Sequence, residues 1–557
     1  MSPQPRVVHE ILRHWAIARG ADPFVTIAGE FFRFADLDRR AQDVAAGLAR
    51  LGIDPGDRLA IISPNRAEVV EIYFGAARRG VIQVPLNAYL KDEFLRYQLR
   101  DSQPTALVVD ADGLEVVLPL VSDIPTLRVL ITMDADPHVE HAGIPRLSYA
   151  EAFPHGGKAE FIPATPASIM SIMYTSGTTG MPKGCMLTHG YYTRAAAAVI
   201  GMLNLAPRDH LYSTLPLFHA GGRLLTLAAA LATGCQATID PTFSAAAILP
   251  RCRQVDASVI IGLGAMGSAM LKTPPSDADL DHEVRAMIMV PMAEPDQVRF
   301  EQRFGIDPFV EAFGQTECMP VLTGSITGQR NRSSAGRPAH DVEVALLDGD
   351  GTPVPVGEVG EICVRPRDRH AMFSGYWNDP SATLRQYEGL WYHTGDQARE
   401  MADGSYVFAD RKKDSLRRRG ENVSSLELEA SILRHPRIAE AAVHAIPSDL
   451  GEDDIKACLV SADDKPWDAA ELFEYFVDVL PYFAVPRYVE FMPTLPRTAV
   501  GRVTKHILRE RPLQSPDVWD FEQLGYVVAR ADRRRVRREF TAAQVHGRRE
   551  TDSVEEL

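Results

Sequence analysis

An α/β protein of at least two domains is predicted, and three observations carry that prediction. Short apolar β-branched runs alternate with alanine-rich helical stretches over most of the chain. The 557 residues exceed the size at which one hydrophobic core stops growing. The texture then changes twice, first to short strands with turn signals and later to a compact α+β segment.

The elements follow in order. The start, MSPQPRVVHEILRHWAIARG, reads as an amphipathic helix without the apolar centre of a signal peptide. RLAIISP (58–64), ALVVD (106–110) and RVLITM (128–133) read as buried strands. Between residues 340 and 410 a β-rich subdomain is expected, because Asp348-Gly349 and Asp350-Gly351 are strong turn dipeptides. After Arg411 come a charged stretch, a helix starting near Ser424 and an α+β segment ending near residue 513. The expected domains are therefore 1–413, a small mobile α+β domain over 414–513, and a charged, mobile tail over 514–557.

Composition narrows the function. With 45% hydrophobic and 24% charged residues the chain is of ordinary globular type, and its net charge of −15 disfavours nucleic acid or an anionic membrane as the main partner. The six cysteines form no CxxC pair, which points away from a zinc site or disulfide framework and toward a reducing cytoplasm. No apolar run reaches membrane-spanning length.

The strongest local signal is YTSGTTGMPKG, Tyr174 to Gly184. Its glycines let backbone N–H groups approach phosphate oxygens, the hydroxyls of Thr175, Ser176, Thr178 and Thr179 add donors, and Lys183 adds charge. It is not the GxxxxGK[ST] loop of nucleoside triphosphatases. Four further segments stand out: Pro216-Leu217-Phe218-His219, Phe313-Gly314-Gln315-Thr316-Glu317, Thr394-Gly395-Asp396 and Arg411-Lys412-Lys413-Asp414. Taken alone, His219 is an ordinary core histidine and Glu317 a solvated carboxylate, while Asp396 after Thr-Gly reads either as a turn residue or, more sharply, as a carboxylate accepting two vicinal hydroxyls. The run Arg411 to Arg419 places six basic residues in an acidic chain, which suits a local anion site.

Together, in this order, the segments resemble the adenylate-forming family of acyl-CoA synthetases, peptide-synthetase adenylation domains and luciferases, over the chain up to about residue 513. The stretch DRKKDSLRRRGENVSSLELE is most similar in style to carnitine and crotonobetaine ligases and to secondary-metabolite acyl-CoA ligases. The resemblance implies two half-reactions: a carboxylic acid and ATP give acyl-AMP, and coenzyme A then displaces AMP. It implies Mg²⁺ on Glu317, and catalytic roles for Thr175, Lys183, Glu317 and residue 502. Nucleotide or coenzyme A contacts are implied for Ser176, Gly177, Thr178, Thr179, Gly180, Phe313, Gly314, Gln315, Thr316, Asp396, Arg411 and Gly420. Phe313 would stack on adenine, Asp396 would accept both ribose hydroxyls, Gly420 would border the pantetheine path, and Asp414 would be the hinge. His219, Gly221, Gly222, Gly262 and Gly264 would line the acyl pocket, where small residues, Gly267 among them, would leave volume for a bulky apolar acid. Glycine equally marks tight helix packing.

Two departures from the family pattern matter. The stretch LPRTAVGRVTK carries Arg502 where the family has its adenylation lysine, and Lys505, three residues later, already matches a second basic position. Arginine keeps the charge but replaces a compact ammonium with a wider planar fork. The rim MVPMAEP (289–295) also departs from the family's glycine-rich segment beside adenine. Both changes bear on ATP. The pattern is similar to the non-adenylating ligases of platensimycin-type diterpenoid antibiotic pathways, and implies thioesterification of an acyl-AMP supplied by a separate adenylating enzyme. The alternatives are an ordinary two-step synthetase and a non-catalytic AMP-binding protein.

Overall fold

The computed structural model describes residues 6–134, 143–158, 160, 162–175, 181–411, 415–448, 452–463, 465–496 and 503–528. The chain forms two compact units, Met1–Ser415 with Asp449–Glu452, and Leu416–Ser448 with Asp453–Leu557.

The large unit holds two mostly parallel sheets. In the first, the strands run in the order Arg146–Ser148, Val129–Thr132, Ala106–Val109, Arg58–Ile62, Ile82–Leu86, Ile169–Thr175, Lys183–Thr188, with only the last pair antiparallel. The second has the order Ala286–Val290, Val259–Leu263, His210–Ser213, Gln236–Ile239, Pro23–Ile27, Glu30–Arg33. Strands covered on both faces read as continuous apolar runs, and Leu59 to Ile62 and Ala106 to Val109 are buried accordingly. The expected strands at 58–64, 106–110 and 128–133 and the N-terminal helix, Val8–Ala18, are all present.

Helices Phe34–Arg50 and Ala67–Arg79 pack against each other where Gly75 has no side chain: a Cβ there would collide with Val44. The second helix stops at Gly80, whose φ of 76° is the left-handed conformation a glycine adopts without strain.

The β-rich part follows, as expected. Ala312–Gln315, Cys318–Thr323 and Arg337–Pro338 form one small sheet; Val342–Leu347, Val359–Pro366, Trp391–Glu400, Tyr387–Glu388 and Tyr406–Arg411 form another. No described helix is long and apolar enough to cross a membrane. All six cysteines are buried and none is bonded to another.

The small unit packs helices Ser425–Ile432 and Ala469–Val479 with the strands Ile438–Pro447, Asp453–Ser461, Tyr488–Phe491 and Val518–Asp520. That last strand corrects the expected end at residue 513. It pairs with Tyr488–Phe491, Trp519 lies 5.3 Å from Phe491, and buried Phe521 lies 5.1 Å from Phe473. Residues 514–528 thus belong to the unit rather than to a charged tail; aromatic side chains hold them there.

Candidate active site

Thr175 and Lys183 are paired across two antiparallel strands, so the glycine-rich segment between them is closed at its base by the two residues expected to act. Glu317 belongs to a second turn. Gln315 and Cys318 pair across a hairpin, leaving Thr316 and Glu317 as its two-residue loop. Gly314 allows close strand approach there, since a Cβ would lie 3.0 Å from the Cys318 carbonyl oxygen.

The strand end at Thr175 and the hairpin loop meet at Glu317, which is only 7% exposed. Its Oε1 accepts from Tyr376 at 2.8 Å and from Thr175 Oγ1 at 3.4 Å. Lys183 Nζ stands 4.9 Å from the centre of the Tyr376 ring. Burial, and then the neighbouring Glu317 charge, push the Tyr376 phenol far above its ordinary range, so it remains a hydrogen-bond donor. Tyr191 donates to the Thr316 carbonyl at 2.9 Å and fixes the hairpin loop from the other side. Tyr376 and Tyr191 were not legible as site residues, because a buried tyrosine in sequence looks like any core aromatic.

The ribose candidate joins the same network. Gln315 Nε2 donates to Asp396 Oδ2 at 2.6 Å and to the Thr394 carbonyl at 2.8 Å, while Tyr392 donates to Gln315 Oε1 at 3.4 Å. Asp396 is 3% exposed and faces Arg411 in strand register. The Phe313 ring, half-buried, lies 6.0 Å from Phe408. The structure therefore brings Thr175, Lys183, Gln315, Thr316, Glu317 and Asp396 together on neighbouring strand ends and one hairpin loop, with Phe313 on the strand that carries Gln315.

A magnesium ion fits this arrangement. Glu317 offers one hard oxygen donor with the Thr175 hydroxyl beside it, which suits an ion that keeps water and phosphate ligands and takes few from protein. When bound, such an ion would neutralise phosphate charge.

His219 is half-buried at the start of the wide helical turns Gly221–Ala228, its N–H donating to the Pro216 carbonyl at 3.1 Å and its ring 4.9 Å from Phe218. The segment is anchored by Arg223, fully buried, which reaches Gln83 and the Leu217 carbonyl and covers the Tyr73 ring. The expectation that glycines leave open volume is corrected here. A Cβ on Gly221 would lie 2.7 Å from Leu215 and one on Gly262 2.9 Å from Met289. Gly222 and Gly264 abut the carbonyl oxygens of Pro216 and Pro291, and Gly267 abuts the Met292 methyl. The space is already filled by backbone and methionine.

In the small unit, Arg419 and Gly420 form the two-residue turn between Ser415–Arg418 and Glu421–Ser424, with φ of 55° and 81°. The basic run is partly internal: buried Arg418 lies 3.3 Å from Asp454, and Arg419 stands over the Tyr482 ring and donates to the Val528 carbonyl. Lys505 is held 2.7 Å from Glu429 and donates to Ser425 at 2.7 Å. Ser176, Gly177, Thr178, Thr179, Gly180, Asp414 and Arg502 lie outside the described residues, as does the Arg411 side chain.

Comparison with known proteins agrees with this construction. Residues 12–377 match the family of AMP-binding enzymes, and residues 427–502 match the AMP-binding enzyme C-terminal domain. The crotonobetaine/carnitine–CoA ligase of Salmonella enteritidis PT4 is 30% identical over 487 residues, spanning 86% of this chain and 93% of the relative. That of Salmonella typhimurium LT2 is 29% identical over 483 residues, with the same coverage of 86% and 93%. Among solved structures, the anthranilate CoA ligase AuaEII in complex with anthranoyl-AMP superimposes with a TM-score of 0.68 at 25% identity, covering 91% of this chain and 97% of that one. The o-succinylbenzoate CoA synthetase of Bacillus subtilis gives 0.77 at 25% identity, covering 90% and 98%. The chain belongs to the adenylate-forming AMP-binding enzymes, and it is an acyl-CoA ligase.

Proposed function

We propose that this ligase works mainly in the second half-reaction, passing an acyl group from acyl-AMP to coenzyme A, with a weak adenylation step. The observation that carries this is the engagement of Lys505. With Arg502 at the family's lysine position, Lys505 is the nearest substitute in sequence, and its ammonium is held by Glu429 and Ser425. Another lysine of the small unit, Lys456, is fully buried 2.7 Å from Glu490. For Lys505, leaving Glu429 would break an ion pair only 13% exposed on either side, and Lys456 is sealed beside Glu490. A preorganised charge at the developing adenylate is worth on the order of 100- to 1000-fold in rate, so a guanidinium that fits poorly lowers adenylation by a similar factor.

The acid is apolar: Leu215, Leu217, Phe218, Leu224 and Met266 dominate the segments assigned to the acyl pocket. Its bulk no longer has the support of the glycines. Asp396 takes the ribose hydroxyls, Glu317 the magnesium ion, Lys183 the phosphate, and Gly420 borders the pantetheine path as the small unit turns about Asp414. The acyl-AMP comes from a separate adenylating enzyme, as in antibiotic assembly, and the reactions run in the cytoplasm.

An ordinary two-step synthetase is the second reading, favoured by the 30% identity to crotonobetaine/carnitine–CoA ligase along nearly its whole length. Pyrophosphate exchange with ATP, magnesium and apolar acids, set against thioester formation from acyl-AMP and coenzyme A, separates the two. Comparable rates sink the half-reaction proposal.

A further inference from the structure

The ribose candidate Asp396 sits in an irregular stretch of strand, and one buried residue fills the space behind it. Along Val359–Pro366 and Trp391–Glu400, Glu361 pairs with Gln397 and Cys363 pairs with His393. Two steps on one strand thus face four on the other, and Thr394, Gly395 and Asp396 bulge out of the ladder. Gly395 adopts φ 77°, the left-handed conformation the bulge needs.

A bulge leaves backbone groups unpaired inside the protein, and each must find a partner. Thr394 Oγ1 donates to the Ile362 carbonyl at 2.7 Å and accepts from the Asp396 N–H at 3.2 Å. The Gly395 N–H donates to Glu361 Oε1 at 2.9 Å. The other oxygen of Glu361 lies 3.1 Å from His393 Nδ1, and Cys363 Sγ stands 3.4 Å from that nitrogen. Glu361 is only 4% exposed. A carboxylate so placed is costly unless its bonds do something an apolar residue could not. Here it completes the bulge from which the Asp396 carboxylate accepts from Gln315.

We propose that Glu361 is the positioning residue for ribose recognition: by holding the Gly395 N–H it sets the angle at which Asp396 meets the two vicinal hydroxyls of a nucleoside monophosphate. This rests on the reading of Asp396 as the ribose carboxylate.

The test uses the full chain and binding alone, so it does not depend on whether the enzyme adenylates. Calorimetry compares AMP with 2′-deoxy-AMP and 3′-deoxy-AMP for the wild type and for E361A, E361Q and D396A. The wild type is expected to favour AMP by about 10- to 100-fold over either deoxy form, the range for a charge-assisted hydrogen bond. E361A lowers that preference to within about threefold, as D396A does. E361Q keeps a carbonyl oxygen for Gly395 and retains most of the preference, an outcome that loss of general stability would not produce. A folded E361A with the wild-type preference overturns the proposal. If D396A keeps the preference, the ribose reading itself fails and the inference goes with it. Should E361A not fold, E361D decides, because its oxygen is drawn back from Gly395: a reduced preference supports the proposal and an intact one overturns it.

Discussion

Lys183 and Glu317 meet on opposite aspects of one tyrosine: the ammonium stands over the Tyr376 ring at 4.9 Å, and the phenol donates to Glu317 Oε1 at 2.8 Å. The proposed phosphate-side cation and the proposed metal-side carboxylate are thereby spaced by a phenol that stays protonated near neutral pH. Replacing Tyr376 with Phe keeps the ring and removes the tether. The half-saturating magnesium concentration for thioester formation from acyl-AMP should rise about tenfold, since a hydrogen bond to a charged group contributes roughly 1.5 to 3 kcal/mol. An unchanged magnesium profile would show that Glu317 needs no such support.

Arg502→Lys should raise pyrophosphate exchange by at least about tenfold while leaving thioester formation from acyl-AMP nearly constant. The departing rim at Pro291 to Glu294 limits the gain. A variant that exchanges no faster than wild type would locate the deficit in that rim.

Lys505→Met should act on stability. Lys505 and Glu429 are each 13% exposed at their side chains, and Glu429 Oε1 also accepts the Val443 N–H at 2.7 Å. Loss of the ammonium should cost about 1 to 3 kcal/mol in urea denaturation, less than for a sealed pair because water still reaches the site. A stable K505M that loses all adenylation would make Lys505 the acting lysine and remove the main support for the half-reaction proposal.

Glycine replacements near the acyl segment should fall into two classes. Gly264→Ala forces backbone movement, because the new methyl meets the Pro291 carbonyl, and should cost about 2 to 4 kcal/mol or prevent folding. Gly262→Ala meets only the flexible ends of Met289 and Met266, which can turn aside, and should cost about 1 kcal/mol or less. Equal tolerance at both positions, read from thermal melting, would restore the idea of open volume.

Acid should destabilise the large unit through two buried histidines. Burial lowers His9 to about 4 and His189 to about 3, with positive neighbours adding to the shift, and Val8 N–H donates to His189 Nδ1. Their folded values lie below the unfolded value of 6.5, so the unfolded chain binds more protons in the interval between. Stability should be constant from these groups above pH 6.5 and fall below it, by up to about 1.4 kcal/mol per pH unit for each histidine. Denaturation midpoints from pH 7 to 4.5 should show a shallower decline in His189→Asn, and an equal slope would remove His189 from the acid response.

Most of the architecture could be read in advance, because buried parallel strands such as Arg58–Ile62 are continuous apolar runs. The candidates Thr175, Lys183, Gln315, Glu317 and Asp396 could be picked out as well, since each stands in or beside a glycine-marked segment. What escaped was contact between turns distant in the chain. Tyr376 lies 59 residues from Glu317 and Glu361 lies 34 from Gly395, and neither stands in a pattern that distinguishes it from core. Glycine misled at 262 and 264, where absence of a side chain served close approach rather than space. Phe521 escaped because a few aromatic residues hold a strand inside a charged stretch.

The burial of all six cysteines has a practical side for an enzyme whose co-substrate is a thiol. Burial pushes the Cys235, Cys252, Cys318 and Cys458 thiols up to about 12, and Cys185, close to Thr175, higher still with Glu317 adding to the effect. These five sulfurs therefore stay protonated and are poor nucleophiles, unlike the free thiol of coenzyme A. A disulfide reagent that reports free thiols can then follow coenzyme A consumption against an almost silent protein.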